Sequence, residues 1–407
     1  MSRTMVVRSR PVQTSVLVIV LVTVALMGIR HPSQSLVTAF PSLTDSHGNW
    51  APTFMQWPLG ISPEQAVDMA KKFDVISATK RSFGKNVPLM KAANPDLKML
   101  VYMNGAFTRS FEANMFPADW YAYDANGRKI TTTEFGDFLM AIWNPAWVDK
   151  AAAICHEFLL ESGFDGCLVD AVGTASLRKG YVTGQPINPQ TGQPFTKAEW
   201  LRAASDLMAR IKARVGGPLV VPNGIRTGPE YFDPVAPTKM LMDNADGGFV
   251  ELFVRGPKDG ISQYRSEERW KKDVDMLVAA GAAGTPLLTV TKVWTTGTQA
   301  QKDQWHRYAF GTFLLGTNGR HYFNFIDDKD TITAHPMWMF DIGVPSGAYA
   351  KINGVYQRTF TKGKVLVNPT TSTFIIPLGG TYIDSQNIVR TSVTLTPHTA
   401  SILKKRL

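Results

Sequence analysis

The feature that most restricts the fold of this chain is a recurring alternation. Eight short apolar runs, each closed by a polar or aromatic residue, are separated by longer segments. The runs are "TFMQW" (53–57), "DVISAT" (74–79), "KMLVYMN" (98–104), "DGCLVD" (165–170), "PLVVPN" (218–223), "GGFVE" (247–251), "TPLLTVTK" (285–292) and "RHYFNF" (320–325). The segments between them carry helical periodicity, clearest over 62–72, 145–162, 196–215, 265–281 and 299–316. The helices at 145 and after Thr196 begin with recognisable capping or first-turn residues. Strands alternating with helices pair in parallel, and eight such units predict an α/β fold closed into a (β/α)8 TIM barrel over 40–340. Residues 105–143 and the second half of the sixth unit are less regular.

A chain of 407 residues with 44% hydrophobic content can bury a large core, and 19% charged residues without low-complexity stretches argue against disorder. The net charge of +10 is spread along the chain, with no basic block beyond the terminal "LKKRL", so no nucleic acid is expected as a partner. A solvated surface excess accounts for it; attraction to anionic glycans or envelope lipids is the alternative. From about residue 341 helical pattern gives way to short β-rich runs, "VYQRTF", "KVLVNP", "TFIIPL", "SVTLTP" and "SILKK". They predict a small all-β sandwich module over 341–407, too small to stand confidently alone and expected to pack on the barrel.

At the other end, Arg3, Arg8 and Arg10 precede an uncharged apolar run over 14–29, closed by Arg30. This is the layout of a secretory signal peptide over 1–39 or, if uncleaved, of a membrane tether through 14–29 with the globular part outside. The two cysteines make no disulfide framework: Cys155 falls in a helical pattern and Cys167 in a strand, and both are expected as small buried apolar residues. "CHEFLLE" lacks the second histidine of a zinc helix, and no phosphate loop, dinucleotide fingerprint or nucleophile elbow is present. No metal or cofactor is expected; the acids of "IDDKD" (326–330) read as a solvated loop rather than a calcium site.

In a closed barrel the carboxyl ends of all eight strands meet at one mouth. The residues there would be Trp57, Lys80, Arg81, Asn104, Asp170, Asn223, Arg226, Glu251, Lys292, Trp294, Asn324 and Asp327. Asp170 and Glu251 stand out because each ends an apolar strand on a carboxylate, and burying an unpartnered carboxylate is costly. They end strands four and six, so their backbones should lie roughly 10 Å apart. That range suits the paired acids of glycoside hydrolysis, in which one protonates the departing oxygen while the other attacks or activates water. The alternative is a pair of structural acids bonded to Lys80, Arg226 or Lys292. Trp57, Tyr102, Phe107, Trp143 and Trp294, at or near strand ends, offer flat faces for sugar rings.

The segments "NPAW", "ESGFDGCLVDAV", "VVPNGI" and "NADGGFVELF" resemble the glycoside hydrolase barrels grouped as hypothetical glycosyl hydrolase family fifteen, similar in turn to the α-galactosidase-like superfamily. The tail "GVYQRTFTKGKVLVNPTTSTFIIPLGGTYID" resembles the all-β module that follows such barrels. The resemblance implies an acid at the end of strand four as nucleophile or base, matching Asp170, and one at the end of strand six as proton donor, matching Glu251. The reading is an exported glycosidase cleaving an extracellular or envelope polysaccharide, with Tyr102, Asn104, Asn223, Arg226, Lys292, Trp294, Asn324, Lys80 and Trp57 binding carbohydrate. A non-catalytic glycan-binding or structural envelope protein on the same scaffold is the competing class. Sugar, linkage, stereochemical outcome and oligomeric state are open at this level.

Overall fold

The computed structural model describes residues 40, 47–56, 60–328 and 331–406. Trp57 and the 14–29 run lie outside the described residues. Eight parallel strands close into a barrel: β1 (Gly48–Pro52), β2 (Val75–Ala78), β3 (Lys98–Asn104), β4 (Gly166–Asp170), β5 (Leu219–Ile225), β6 (Gly248–Val250), β7 (Leu287–Lys292) and β8 (Tyr322–Ile326). β1 pairs with both β2 and β8, which completes the circle. The helices between them are α1 (Pro63–Lys72), α2 (Val87–Ala93), α3 (Pro145–Ser162), α4 (Lys197–Val215), the single turn α5 (Gly228–Tyr231), α6 (Glu267–Ala282) and α7 (Gln299–Gly316).

Local chemistry explains most of these bounds. Ser62, Thr196 and Thr298 each cap a helix reciprocally with a Gln or Glu three residues on, and Asn144 caps α3 with Pro145 at its first position. One strand differs from expectation. The run "TFMQW" is not β1; the strand is "GNWAP", five residues earlier, and Thr53–Gln56 form a 3-10 turn. Both stretches are apolar, and what selects the earlier one is partnership: Trp50, Ala51 and Pro52 register with Val75, Ile76 and Ser77.

Each strand contributes to one interior cluster, formed by Trp50, Val75, Leu100, Leu168, Leu219, Val221, Phe249, Leu288, Val290, Tyr322 and Ile326. At the amino ends of the strands a second regularity appears. A side chain one or two residues before each even strand accepts a backbone N–H from the odd strand preceding it. Asp74 accepts from Asn49, Asp165 from Met99, Asp246 from Val220, and the His321 ring nitrogen from Leu287, at 2.7–3.0 Å. Asp165 and Asp246 also bind Lys91 of α2 and Lys212 of α4, tying helix, strand and strand together. The glycine after Asp165 is required by space: a Cβ on Gly166 would stand 2.2 Å from the Leu219 carbonyl oxygen.

Cys155 and Cys167 correct the expectation of two separate buried thiols. They form a disulfide, with Cα atoms 6.2 Å apart. Cys155 sits on the buried face of α3 and Cys167 in β4, and packing of the helix on its strand brings them together.

Beyond the barrel, β9 (Ala350–Ile352), β10 (Val355–Phe360), β11 (Gly363–Asn368), β12 (Phe374–Asp384), β13 (Val389–Leu395) and β14 (Thr399–Lys405) form the all-β module, one six-stranded antiparallel sheet. It encloses its own cluster, Val355, Leu366, Ile376, Leu378, Val393, Leu395 and Leu403. Tyr356, Phe360, Val365, Val367 and Ile402 belong instead to the barrel's outer core, so the module is packed on the barrel, chiefly against α7. Arg358 donates to the carbonyls of Leu314, Leu315 and Thr317 and so satisfies the last turn of α7. Among the described residues no helix is long and apolar enough to cross a membrane.

Two stability outcomes follow. Asp165→Ala strands the Met99 N–H and removes the counter-charge of the half-buried Lys91, and should cost about 2–4 kcal/mol by denaturant unfolding; Asp68→Ala, at an exposed pair, should stay within about 0.5 kcal/mol. Cys155→Ser should lose about 3 kcal/mol, the value for a short closed loop, and reductant should lower the melting temperature of the wild type but not of the variant.

Candidate active site

The strand pleat builds the site. Side chains two apart share a face, and each principal residue lies two positions beyond a member of the interior cluster. Tyr102 follows Leu100, Asp170 follows Leu168, Asn223 follows Val221, Glu251 follows Phe249, and Lys292 follows Val290. The apolar interior therefore ends in a polar layer at the carboxyl ends of the strands.

Asn223 joins the two acids. Its Nδ2 donates to Asp170 Oδ1 at 2.6 Å and to Glu251 Oε2 at 3.1 Å. Those two oxygens can be no farther apart than both bonds laid end to end, under ~6 Å, which falls at the retaining end of glycosidase geometries. Asp170 further accepts from the Tyr102 hydroxyl at 2.7 Å and from the Ala171 amide at 2.7 Å. Ala171 adopts φ +63°, a left-handed conformation costly for a residue with a Cβ, and Val254 after β6 is also left-handed at φ +58°. Backbone strain thus flanks both acids.

The two carboxyls are pushed in opposite directions. Burial raises Asp170, the Glu251 charge adds to it, and the bonds from Tyr102, Asn223 and Ala171 only partly offset this. Burial also pulls Glu251 upward, but it is outweighed by the Lys292 charge and hydrogen bond, the Asn223 bond and the Arg226 charge, and the net shift is downward. Lys292 Nζ lies 2.5 Å from Glu251 Oε1, its side chain is 2% exposed, and it stands 4.7 Å from the Trp294 ring centre. Glu251 remains 35% exposed, open to solvent and to a ligand.

Other candidate residues are placed differently. Arg226 pairs with Glu230 at 3.2 Å, close enough for its charge to act on Glu251. Asn104 is level with Asp170 in the sheet, but its Oδ1 accepts from the Ala106 and Phe107 amides and turns the chain. Asn324 is not at the mouth. It is fully buried and donates to the Trp50 carbonyl at 2.6 Å, and Ile326, two residues on, belongs to the interior cluster beyond it. Lys80 is also apart from the acids, paired with Glu161 of α3. Phe107 is buried, and Trp143 packs on Phe195 with ring centres 4.4 Å apart. Tyr102 stacks on Phe54 at 4.7 Å.

One residue absent from the sequence reading belongs here. Tyr181, from the loop after β4, has its hydroxyl pushed up to about 12 by burial first, then by the Asp170 and Glu251 charges. Nothing in "RKGYVTG" marks it, because the loop has no periodicity.

The family model for hypothetical glycosyl hydrolase family 15 matches residues 91–364, more than half of the chain. The chain belongs to that family. It is a glycoside hydrolase by family, and its Asp170–Glu251 pair lies within the matched span. No curated protein sequence matches it. Among solved structures it is similar to Amy13B of Eubacterium rectale, with TM-score 0.53 and 11% identity over 90% of this chain and 97% of that one. The maltogenic α-amylase AmyB of Thermotoga neapolitana aligns with TM-score 0.49 and 10% identity over 89% of this chain and 99% of that one. The α-galactosidase AgaA of Geobacillus stearothermophilus gives TM-score 0.49 and 9% identity over 89% and 56%. At such identities the likeness to Amy13B concerns the fold, a barrel shared with a protein of nearly the same extent.

The opposed shifts give a stability prediction needing no substrate. A carboxyl raised in the fold is destabilising when ionised, so Asp170→Asn should raise the melting temperature at pH 7, and the gain should vanish as pH falls to where Asp170 is protonated. Glu251 is lowered, so it contributes stability above its unfolded value that is lost as pH falls through its folded value. Glu251→Gln leaves Lys292 buried without a counter-charge and should lower the melting temperature at pH 7. Scanning fluorimetry across pH 4–8 reads both signs.

Proposed function

We propose that this hydrolase is exported and cleaves an O-glycosidic bond of an extracellular or envelope polysaccharide with retention, using Asp170 and Glu251. The observation that carries the reading is the Asn223 amide spanning both carboxylates. It holds them at a separation suited to attack on the anomeric carbon without an intervening water.

Asp170 takes the nucleophile's part because three donors fix its orientation, and Tyr102 and Asn223 can keep bonding to it as charge leaves the carboxylate. One Asp170 oxygen bonds to the anomeric carbon as the bond to the leaving oxygen breaks, and Glu251 supplies the proton that oxygen needs. Water then attacks the same carbon, Glu251 takes its proton, and Asp170 departs as carboxylate. Glu251 suits proton exchange because it is the more exposed partner of its ion pair with Lys292. In the resting geometry Lys292 favours ionised Glu251, while burial favours protonated Asp170, so the pair titrates as a coupled unit. Lys292 must yield when Glu251 carries the proton.

Export is supported by the arginine-flanked apolar run and by the Cys155–Cys167 bridge, since disulfides persist in oxidising compartments. The competing glycan-binding reading draws on the Glu251–Lys292 ion pair alone. It does not account for Asp170, which has no cationic partner among its hydrogen bonds.

Asp170→Asn and Glu251→Gln should each reduce turnover at least a thousandfold while the circular dichroism spectrum is kept, with reducing ends released from a polysaccharide panel as the readout. Azide should restore activity to Glu251→Gln on substrates with good leaving groups. NMR of the first product should show the anomeric configuration of the substrate. Full activity in either variant, or an inverted product, contradicts the assignment.

A further inference from the structure

The strand that delivers Glu251 does little to hold it. β6 has three residues, the fewest of the eight barrel strands, and its register with β5 shifts between Asn223 and Ile225. Past Val250 the Glu251 amide still donates to the Ile225 carbonyl, but at 3.3 Å. A short ladder with an irregular register leaves the residues after it poorly fixed. Yet Glu251 has to meet Asn223 on one side and Lys292 on the other.

Arg265 and Asp273 supply the missing restraint. Arg265, just before α6, donates through Nη2 to the Leu252 carbonyl at 2.7 Å. The N–H of that same peptide group, on Phe253, donates to the Val290 carbonyl of β7 at 3.3 Å. The peptide joining Leu252 to Phe253 is thereby gripped at both ends, one residue beyond Glu251. Arg265 is in turn paired with Asp273 of α6, whose side chain is fully buried. The other Asp273 oxygen accepts the Gly228 amide at 2.7 Å. Gly228 opens α5, two residues after Arg226, and a Cβ there would lie 2.1 Å from the Lys272 carbonyl, so α5 is seated on the α6 backbone. One carboxylate therefore reaches the loop after β5 directly and the loop after β6 through Arg265.

Stability alone does not account for this pair. Burial outweighs the Arg265 charge and the Gly228 bond and raises the Asp273 carboxyl above its ordinary value, so the ionised form is held at a cost. Replacing a buried ion pair with apolar side chains is often neutral or stabilising, and this face of α6 already buries Trp270, Val274 and Leu277. What apolar side chains lack is direction. A guanidinium fork can bind a carboxylate with one arm and a carbonyl with the other, at set angles.

We infer that Asp273 and Arg265 are positioning residues, a buried ion pair that ties the loops after β5 and β6 together and thereby sets the Glu251 carboxylate between Asn223 and Lys292. Their effect on turnover rests on the hydrolase reading; their effect on the placement of Glu251 is measurable without substrate.

The test is a double-mutant cycle on the full chain at pH 7, read as melting temperature by scanning fluorimetry. In the wild-type background Glu251→Gln lowers the melting temperature by leaving Lys292 without its counter-charge. With Asp273→Asn or Arg265→Lys in place, Glu251 is no longer held against Lys292, and the same substitution should cost at most half as many degrees. Arg265→Lys keeps a charge beside Asp273 but has no second arm for Leu252, so it carries the test if Asp273→Asn fails to fold. Asp384→Asn, which breaks a carboxylate–arginine pair in the C-terminal module, should leave the cost of Glu251→Gln unchanged. An undiminished cost in Arg265→Lys, or an equal fall in the Asp384→Asn background, overturns the positioning role. On a polysaccharide that the wild type cleaves, Arg265→Lys should lower kcat at least tenfold with KM within about threefold, a split that general destabilisation of a folded enzyme does not produce. The two proposals fail separately. A diminished cost of Glu251→Gln, with no release of reducing ends by the wild type, sinks the hydrolytic mechanism alone. Hydrolysis with kcat unchanged in Arg265→Lys sinks only the positioning role.

Discussion

The constraint on which the rest of the structure depends is the register set at the amino ends of the barrel strands. Asp74, Asp165, Asp246 and His321 each hold the amide of the first or second residue of the preceding odd strand. In a sheet of period two, a slip of one residue sends every side chain to the opposite face. Clamping four strand pairs at one end therefore fixes which residues emerge at the other. Asn104 stands level with Asp170 because β3 and β4 start in step, and Asn223 reaches across to Asp170 on one side and Glu251 on the other.

The same side chain serves opposite ends of this arrangement. Asp165 and Asp170 occupy one strand segment, five residues apart. Asp165 is met by a lysine and a backbone amide, which neutralise and anchor it. Asp170 is met only by neutral donors and by a second carboxylate, so its charge is held at a cost in stability. The strain at Ala171 and Val254 falls in the same region. Stable floor and stressed mouth are the division expected of a barrel whose chemistry is confined to one face. The C-terminal sheet supports that division from outside. By closing the last turn of α7 through Arg358, it buttresses the helix that follows β7, the strand carrying Lys292.

Much of this was legible in one dimension because its causes are local. Apolar periodicity and capping boxes are properties of a few neighbouring residues, so α3 and α7 were readable to their last residue and β3 likewise. The first strand was misplaced because "GNWAP" and "TFMQW" are equally plausible as isolated strings, and only pairing with β2 and β8 separates them. The polar residue ending each strand was readable as a pattern, but its use was not. Asn324 and Asn223 both end apolar runs, yet one is sealed beneath Ile326 and the other bridges two acids.

What the sequence by itself determined is the set of elements and their alternation, the two acids, and the placement of both at carboxyl ends of strands. Tertiary structure alone decided who meets whom. Cys155 and Cys167 became a bridge because α3 lies across β4, Tyr181 came within the field of the two acids although its loop carries no periodic signal, and Lys292 became the partner of Glu251 because β7 lies beside β6. Periodicity is a short-range signal carried by the chain, whereas an ion pair, a disulfide or a shifted carboxyl depends on distances that exist only after strands far apart in sequence have closed the circle.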